Sequence, residues 1–315
     1  MTVAARSAIF SLSDDLDLAA TGGHAHAAPA RFTGGDGGAR DCFVHRIAAG
    51  GATLTVSGPV GANERATIDL PCGLSAEGAF AAVEQEVLTF RFDQPIDIVG
   101  ALARCLAAQT AERRQMPRIE LRQRVCLRHS GQVDFAWTRN LSPTGVGLET
   151  RTTLDVGERV ELTLDGLRPL TGEVRWAEHG HAGIAFDEEL GWQMLMPWLR
   201  KIKSAPPAKH RAADPFPPPS ALGAVKDALR LDIATHVRAG AKWWNARIHV
   251  LSNALVEFES ATEFTPLSSL WLSLPEIGGW PIRVIECHGE RHVAEFRLPL
   301  RPHEMARLTE ALARR

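Results

Sequence analysis

The chain has 315 residues, of which 45% are hydrophobic, and its 35 Lys and Arg against 37 Asp and Glu give a net charge of −2 at pH 7. This composition is typical of a globular protein that is long enough for two or three small domains. A protein that coats DNA or RNA usually carries a basic excess, so a nucleic-acid partner is not expected. A local basic site for one small anion is still compatible with this charge.

Cysteine usage and hydropathy indicate the cellular compartment in which we expect the protein. The five cysteines are odd in number and form no CxxC pair, which argues against a disulfide framework or a structural zinc site and favours a reducing compartment. The N-terminus lacks a basic region followed by an apolar core, and no apolar run approaches the roughly 20 residues of a bilayer span. We therefore expect a cytoplasmic protein without a membrane span.

The first third of the chain predicts a tail followed by a small domain. Residues 1–36 are rich in Ala, Gly and small polar residues, so we expect a flexible N-terminal tail. Residues 37–112 contain short runs interrupted by turn residues. They end in apolar residues at helical spacing, from Ile98 through Leu102 to Leu106.

The middle segment, residues 113–204, has the same organisation. Arg159 to Leu164 alternates polar and apolar positions, which is typical of a half-buried strand. The apolar spacing from Trp192 to Ile202 then predicts a helix. Residues 205–221 are dense in proline and predict an extended linker. Residues 222–315 repeat the strand pattern and end in a third helical stripe.

The three segments share positions at fixed offsets. Gly172 and Phe186 of the middle segment correspond to Gly78 and Phe92, 94 residues earlier, and Phe186 corresponds to Phe296, 110 residues later. A pattern of turn, strands and apolar strand therefore occurs three times. Because closure of a small sheet removes its exposed edges, we interpret each copy as a small β-barrel followed by a helix that covers it.

Two short motifs in the middle segment carry candidate binding chemistry. The first is the cationic cluster from Arg113 to Arg118, and the second is the polar turn from Asn140 to Gly145. Arginine offers a planar fork of donors to phosphate or to a purine edge. Asn and Ser give short directional hydrogen bonds, and Gly permits close approach of the backbone. Taken alone, each motif is more simply a solvated charge run or a structural turn.

Together, in this order, the motifs resemble the RxxxR and (D/N)xSxxG signature of the PilZ family, and the similarity covers roughly residues 112–204. The resemblance implies a six-stranded barrel with a C-terminal helix, a mainly β fold in three tandem copies, and a receptor for cyclic di-GMP. It also implies a flexible segment before the first barrel strand for both arginines of RxxxR. The ligand-binding residues that it implies are Arg114, Arg118, Asn140, Ser142 and Gly145, with Arg113 as an additional arginine.

The flanking copies lack this signature. At the turn of the first copy, Arg46 stands in place of Asn and Ala48 in place of Ser, and no RxxxR precedes it. In the third copy, Ser252 is present but Val250 and Leu255 replace the other two positions. We interpret both as degenerate PilZ-like barrels that do not bind the ligand and that contact each other or a protein effector.

The resulting hypothesis is a receptor with no cofactor and no catalytic residues. A helix at about 96–112 leads into Arg113 and Arg114, so closure of these arginines over the ligand is expected to stiffen and reorient the junction between the first two barrels. One alternative is a pure interaction scaffold with a vestigial site. A second, an enzyme that hydrolyses or transfers a nucleotide, lacks recognisable acid, base or metal residues.

Overall fold

A computed structural model of the chain describes residues 8–12, 27–35, 37–61, 63–84, 87–108, 116–204 and 228–313. These residues belong to two compact units. The first unit comprises Met1–Arg122, Arg139–Val146 and Glu189–Ser204. The second unit comprises Gln123–Thr138, Gly147–Glu188 and Ala205–Arg315.

The elements follow in three groups, each of which ends in a helix. The first group comprises β1 (Ile9–Ser11), β2 (Ala28–Gly34), β3 (Ala39–Ala48), β4 (Gly51–Val56), β5 (Arg65–Asp69), β6 (Ser75–Glu84), β7 (Val87–Phe92) and α1 (Ile98–Ala108). The second comprises β8 (Arg118–Glu120), β9 (Arg124–His129), β10 (Gln132–Ser142), β11 (Gly145–Glu149), β12 (Arg159–Leu164), β13 (Leu170–Glu178), β14 (His181–Phe186) and α2 (Trp192–Ser204). The third comprises β15 (Leu229–Ala239), β16 (Lys242–Leu251), β17 (Leu255–Glu259), β18 (Ser269–Leu274), β19 (Gly278–His288), β20 (Arg291–Phe296) and α3 (Pro302–Ala313).

The same strand order occurs in each group. Neighbouring strands follow as β2-β3-β4-β7-β6-β5 in the first, as β9-β10-β11-β14-β13-β12 in the second and as β15-β16-β17-β20-β19-β18 in the third. The first and third sets are closed six-stranded antiparallel barrels, completed by the pairs β2–β5 and β15–β18. Among the described residues, strands account for 55% and helices for 13%, which confirms the predicted mainly β class and the three helices.

A tight turn recurs at the offsets found in the sequence. Asn63, Gly157 and Leu267 all have positive φ, at 64°, 90° and 71°. Each donates its N–H over 2.8 Å to a carbonyl 17 residues later in the chain, on Phe80, Val174 or Val284. The three segments therefore share backbone geometry in addition to strand order.

Aromatic residues fill the first barrel, and an aromatic cluster lies in the third. Phe32 and Phe80 pack edge to face with ring centroids 5.4 Å apart, and Phe80 and Phe90 do so at 5.0 Å. In the third barrel Phe258 stacks on the buried His292 at 5.0 Å. Such pairs stabilise a core by more than the burial of their apolar surface alone would do.

The predicted apolar stripes of the helices are buried. α1 buries Ile98 and Leu102 almost completely, and α2 does the same with Leu195 and Leu199. In α3 the buried residue of the stripe is Leu308. Each helix therefore has a buried apolar side, as helical spacing predicts.

Asn245 joins the middle segment to the third barrel inside the second unit. Its side-chain oxygen accepts the Cys126 N–H at 2.8 Å, and its Nδ2 donates to the Arg124 carbonyl at 2.9 Å. Its own N–H donates to the Asp165 carboxylate. Asn245 is fully buried, so these hydrogen bonds satisfy its polar groups in place of water.

The prediction of a flexible N-terminal tail needs correction. The predicted flexible tail over residues 1–36 is wrong for residues 9–11 and 28–34, which form β1 and β2, because hydrogen bonding to β3 outweighs their weak periodicity. The helix predicted at about 96–112 is described as Ile98–Ala108, and residues 109–115 lie outside the described residues. The proline-rich linker at 205–221 also lies outside them.

The helices of the described residues are too short or too polar to cross a bilayer. The five cysteines all lie in the described part of the chain, where none of them forms a disulfide and only Cys287 is partly exposed. Burial raises the pKa of the Cys42 thiol to about 11 and that of Cys126 to about 12, so both are protonated at neutral pH.

Candidate ligand-binding site

The second motif lies at the end of strand β10, beside the strand that begins with Arg118. In the antiparallel pair of β8 and β10, Leu141 is opposite Ile119 and Asn140 is opposite Glu120. Continuing this register by one residue brings Ser142 opposite Arg118. The arginine of the first motif and the polar residues of the second are therefore cross-strand neighbours.

Strand alternation determines which side chains share a face. Ile119 and Leu141 are fully buried, so they point to the apolar side of the β8–β10 pair. Successive residues of a strand point to opposite faces. Arg118, Asn140 and Ser142 therefore share the other face, where Arg118 is exposed and the two polar residues are half-buried.

A turn closes this face at the end of β10. Ser142 donates its hydroxyl to the Gly145 carbonyl at 3.2 Å. The Pro143 carbonyl accepts the Leu190 N–H at 2.8 Å, which connects the turn to the chain just before α2. The same backbone bond links Ala49 to Ile96 at 2.9 Å and Asn253 to Leu300 at 2.8 Å in the flanking segments. The turn is thus a structural feature of all three segments.

Arg118 and the nearby Glu120 differ in whether they form an ion pair. Within the described part of the chain, Arg118 makes no ion pair or hydrogen bond through its guanidinium. Glu120, two residues along the same face, pairs with Arg46 of β3 at 2.6 Å. Arg46 is 4% exposed and also donates to the Ser11 hydroxyl at 3.0 Å. Among the described residues of this face, Arg118 is therefore a cation without a partner, while the Glu120 carboxylate is neutralised by Arg46.

Strand β1 holds these residues in place. It runs parallel to both β3 and β8, so that Ile9 is level with Arg46 on one side and with Arg118 on the other. The Leu12 N–H donates to the Glu120 carbonyl at 3.0 Å and extends the ladder. A segment of the predicted tail thus forms part of the sheet that carries the candidate site.

The structure brings together Arg118, Asn140, Ser142 and Gly145. Arg113 and Arg114 lie outside the described residues. The prediction of a flexible segment for both arginines of RxxxR is wrong for Arg118, which is the first residue of β8 and pairs with Ile9 of β1. The sequence analysis did not identify Glu120 or its ion pair with Arg46. The sequence signal for this pair was that Arg46 stands where the motif has Asn.

The third copy uses its remaining motif residue for structure. Ser252 is 3% exposed, and its hydroxyl oxygen accepts the Leu255 N–H at 2.9 Å. Its hydroxyl therefore serves the turn itself. In the first copy, Arg46 is buried in the ion pair described above, and Ala48 has no polar atom on its side chain.

Another titratable cluster lies on the middle segment, around His129. This buried side chain lies 3.4 Å from Glu158 and 3.6 Å from Asp134. Ser130 donates to Glu158 at 2.6 Å, and this bond lowers the pKa of the Glu158 carboxyl. No group of three or more potential metal ligands occurs among the residues that the structure describes.

Comparison with known proteins agrees with the motif. Residues 112–193 match the family model described as PilZ domain. No protein with a curated description matched the sequence.

Solved structures provide three further comparisons. PlzA of Borreliella burgdorferi in complex with c-di-GMP has 9% identity and a TM-score of 0.22, over 60% of this chain and 91% of that one. The inhibitor of motility MotI/DgrA of Bacillus subtilis has 9% identity and a TM-score of 0.24, over 56% and 98%. YcgR of Escherichia coli in complex with c-di-GMP has 14% identity and a TM-score of 0.21, over 55% and 81%.

Proposed function

Because residues 112–193 form a PilZ domain, we propose that the chain is a non-catalytic receptor for the bacterial second messenger cyclic di-GMP. The observation that carries the proposal is the common face of Arg118, Asn140 and Ser142 beside the Gly145 turn. This face combines one exposed cation that has no described partner with half-buried polar groups that can accept and donate hydrogen bonds.

The chemistry of the ligand matches this face. Cyclic di-GMP carries two phosphate charges and two guanine bases. The Arg118 guanidinium can donate to a phosphate while its plane stacks on a base, and Arg114 and Arg113 approach from the preceding segment. Asn140 and Ser142 supply directional contacts to a guanine edge and to the nearby phosphate, and Gly145 lets the backbone approach.

The signal reaches the rest of the protein through the junction before β8. α1 of the first segment ends at Ala108, only ten residues before Arg118, and Arg113 and Arg114 lie between them. When these arginines close over the ligand, the junction becomes ordered and the first barrel reorients. Scattering profiles that superimpose with and without ligand would contradict this relay.

The outer barrels serve as contact surfaces for a protein effector in the cytoplasm, and DNA and RNA are not partners. The net charge of −2 and the incomplete binding motif of both flanking copies support this assignment. Retention of the chain on heparin or on DNA at physiological salt would contradict the exclusion of nucleic acids.

Isothermal titration of the full chain with cyclic di-GMP tests the ligand. We expect binding by the wild type and a loss of about 100-fold or more in the Arg114→Ala, Arg118→Ala double variant, since each charged hydrogen bond contributes about 1.5–3 kcal/mol. Arg297→Ala, an exposed arginine of the third barrel, is the matched control and should bind as the wild type does. A silent titration of the wild type at tens of micromolar would favour the scaffold. Chemical analysis of the ligand after long incubation tests the absence of hydrolysis.

A further inference from the structure

Arg46 occupies an unusual place in the molecule. It stands 94 residues before Asn140, at the corresponding turn of the first copy, where its side chain cannot act as the Asn would. A buried arginine is costly unless its charge is paired, and Arg46 is paired with Glu120 and Ser11. The residue that marks the first copy as degenerate therefore contacts the strand of the candidate site.

Glu120 is badly placed for anion binding unless it is neutralised. It lies directly opposite Asn140, and it is two residues from Arg118 on the same face. Residues two apart in a strand lie about 7 Å apart, within reach of a long arginine side chain. A free carboxylate at this position would pair with Arg118 and would also repel a phosphate. In the described residues, Glu120 pairs with Arg46 and leaves Arg118 unengaged.

We propose that Arg46 is a positioning residue of the ligand site, which holds and neutralises Glu120 so that the Arg118 guanidinium stays available to the ligand phosphate. This inference rests on the proposed function for its ligand. It assigns to the first barrel a role in binding that its lost motif does not suggest. Arg46 touches no ligand in this scheme and acts through Glu120 alone.

Two substitutions at position 120 separate charge from packing. Glu120→Gln keeps the shape and removes the charge, whereas Glu120→Asp keeps the charge and shortens the side chain so that it reaches Arg46 less well. In titrations with cyclic di-GMP we expect Glu120→Gln to bind within about threefold of wild type, and Glu120→Asp to bind about tenfold more weakly. Equal losses in both variants would overturn the proposal, because a purely structural pair would not distinguish them.

The partner residue provides the second arm. Arg46→Met should weaken ligand binding at least about tenfold, and the Arg46→Met, Glu120→Gln double variant should recover to within about threefold of wild type. A double variant that is folded but as weak as Arg46→Met contradicts the inference. Thermal unfolding of each variant identifies those that do not fold, and the comparison at position 120 then decides.

A readout without ligand keeps this inference distinct from the receptor function. Phenylglyoxal modification of Arg118, followed by peptide mass analysis, reports whether its guanidinium is engaged. We expect the rate at Arg118 to fall severalfold in Arg46→Met and to return in the double variant, with exposed Arg297 as the internal reference. An unchanged rate in Arg46→Met overturns the inference. A wild type that does not bind cyclic di-GMP refutes the receptor function instead.

Discussion

Leu267 and Gly157 lie 110 residues apart and take the same left-handed backbone conformation, with φ of 71° and 90°. The N–H groups of both donate over 2.8 Å to a valine carbonyl in the following strands. A glycine adopts this conformation without steric cost, whereas a leucine does so at a cost of about 1–2 kcal/mol. The third barrel therefore retains the turn of the middle segment with a residue poorly suited to it.

Replacement of this leucine should stabilise the protein. Leu267 is 76% exposed, so Leu267→Gly loses little packing and relieves the strain. Part of the gain is lost to the greater freedom of glycine in the unfolded chain, and we expect a net increase of about 0.5–1 kcal/mol in the free energy of unfolding. Chemical unfolding measures it, and Gly157→Leu is the reverse control, expected to destabilise. A destabilised Leu267→Gly would contradict the strain.

Gly78 is predicted to be intolerant of any side chain. A Cβ at this position would lie 2.0 Å from the Arg91 carbonyl oxygen and 2.9 Å from the Phe90 ring. Relief requires movement of the backbone of β7, so Gly78→Ala should lower the free energy of unfolding by about 2 kcal/mol or more. Gly191→Ala, where no atom lies within 4 Å of an added Cβ, is the matched control and should have little effect.

Asn245 is expected to stabilise the second unit through its buried amide. Asn245→Ala leaves the Cys126 N–H and the Arg124 carbonyl without their partner, which should cost about 2–4 kcal/mol in the free energy of unfolding. Asn253→Ala, an exposed asparagine of the same barrel, should change it by less than about 0.5 kcal/mol. Equal unfolding midpoints for the two variants in urea would contradict the role of Asn245.

His236 should make stability depend on pH on the acid side. Burial, and secondarily the charge of Arg128, lower the pKa of its imidazole from 6.5 to about 4. Between these values the unfolded chain binds a proton that the folded chain does not. The contribution is therefore fully present above pH 6.5 and is lost as the pH falls toward 4, by up to about 3 kcal/mol.

Unfolding of wild type and His236→Gln at pH 7.5, 6 and 5 tests this titration. As the pH falls, the free energy of unfolding of the wild type should decrease more than that of His236→Gln, because only the wild type carries the buried imidazole. His179→Gln, which changes an exposed histidine, should track the wild type. A constant difference between wild type and His236→Gln across this range would contradict the lowered pKa.

Arg118→Lys should not preserve binding. Lysine retains the charge but lacks the planar fork that donates to phosphate while stacking on a base. We expect titrations to give affinity for cyclic di-GMP at least about tenfold below wild type. An Arg297→Lys variant serves as the control for the substitution itself. Wild-type affinity in Arg118→Lys would mean that charge alone matters at this position.

The repeated pattern made much of the fold predictable. Alternation in strands, helical spacing near each segment end and fixed offsets such as Gly78 to Gly172 indicated the order of elements. The β1 strand could not be found this way, because three residues carry no measurable periodicity and gain their structure from β3 and β8. Short parallel pairing is a long-range property, which local patterns do not encode.

The candidate site was only partly predictable, for a related reason. Asn140, Ser142 and Gly145 lie in one continuous motif, and Arg118 belongs to a second that precedes it by a fixed distance. The pairing of Arg46 with Glu120 joins residues 74 positions apart. Local reading correctly identified Arg46 as a departure from the motif, but its contact to β8 depends on how β1 brings the two strands together.

Because β1 lies between β3 and β8 and pairs with both, the protein cannot be truncated at every apparent domain boundary. A fragment cut out at the family boundaries, residues 112–193, would leave β8 with an open edge and Glu120 without its guanidinium. Ligand affinities measured on such a fragment would therefore describe an incomplete form of the candidate site, and the minimal unit for quantitative work begins before Ile9.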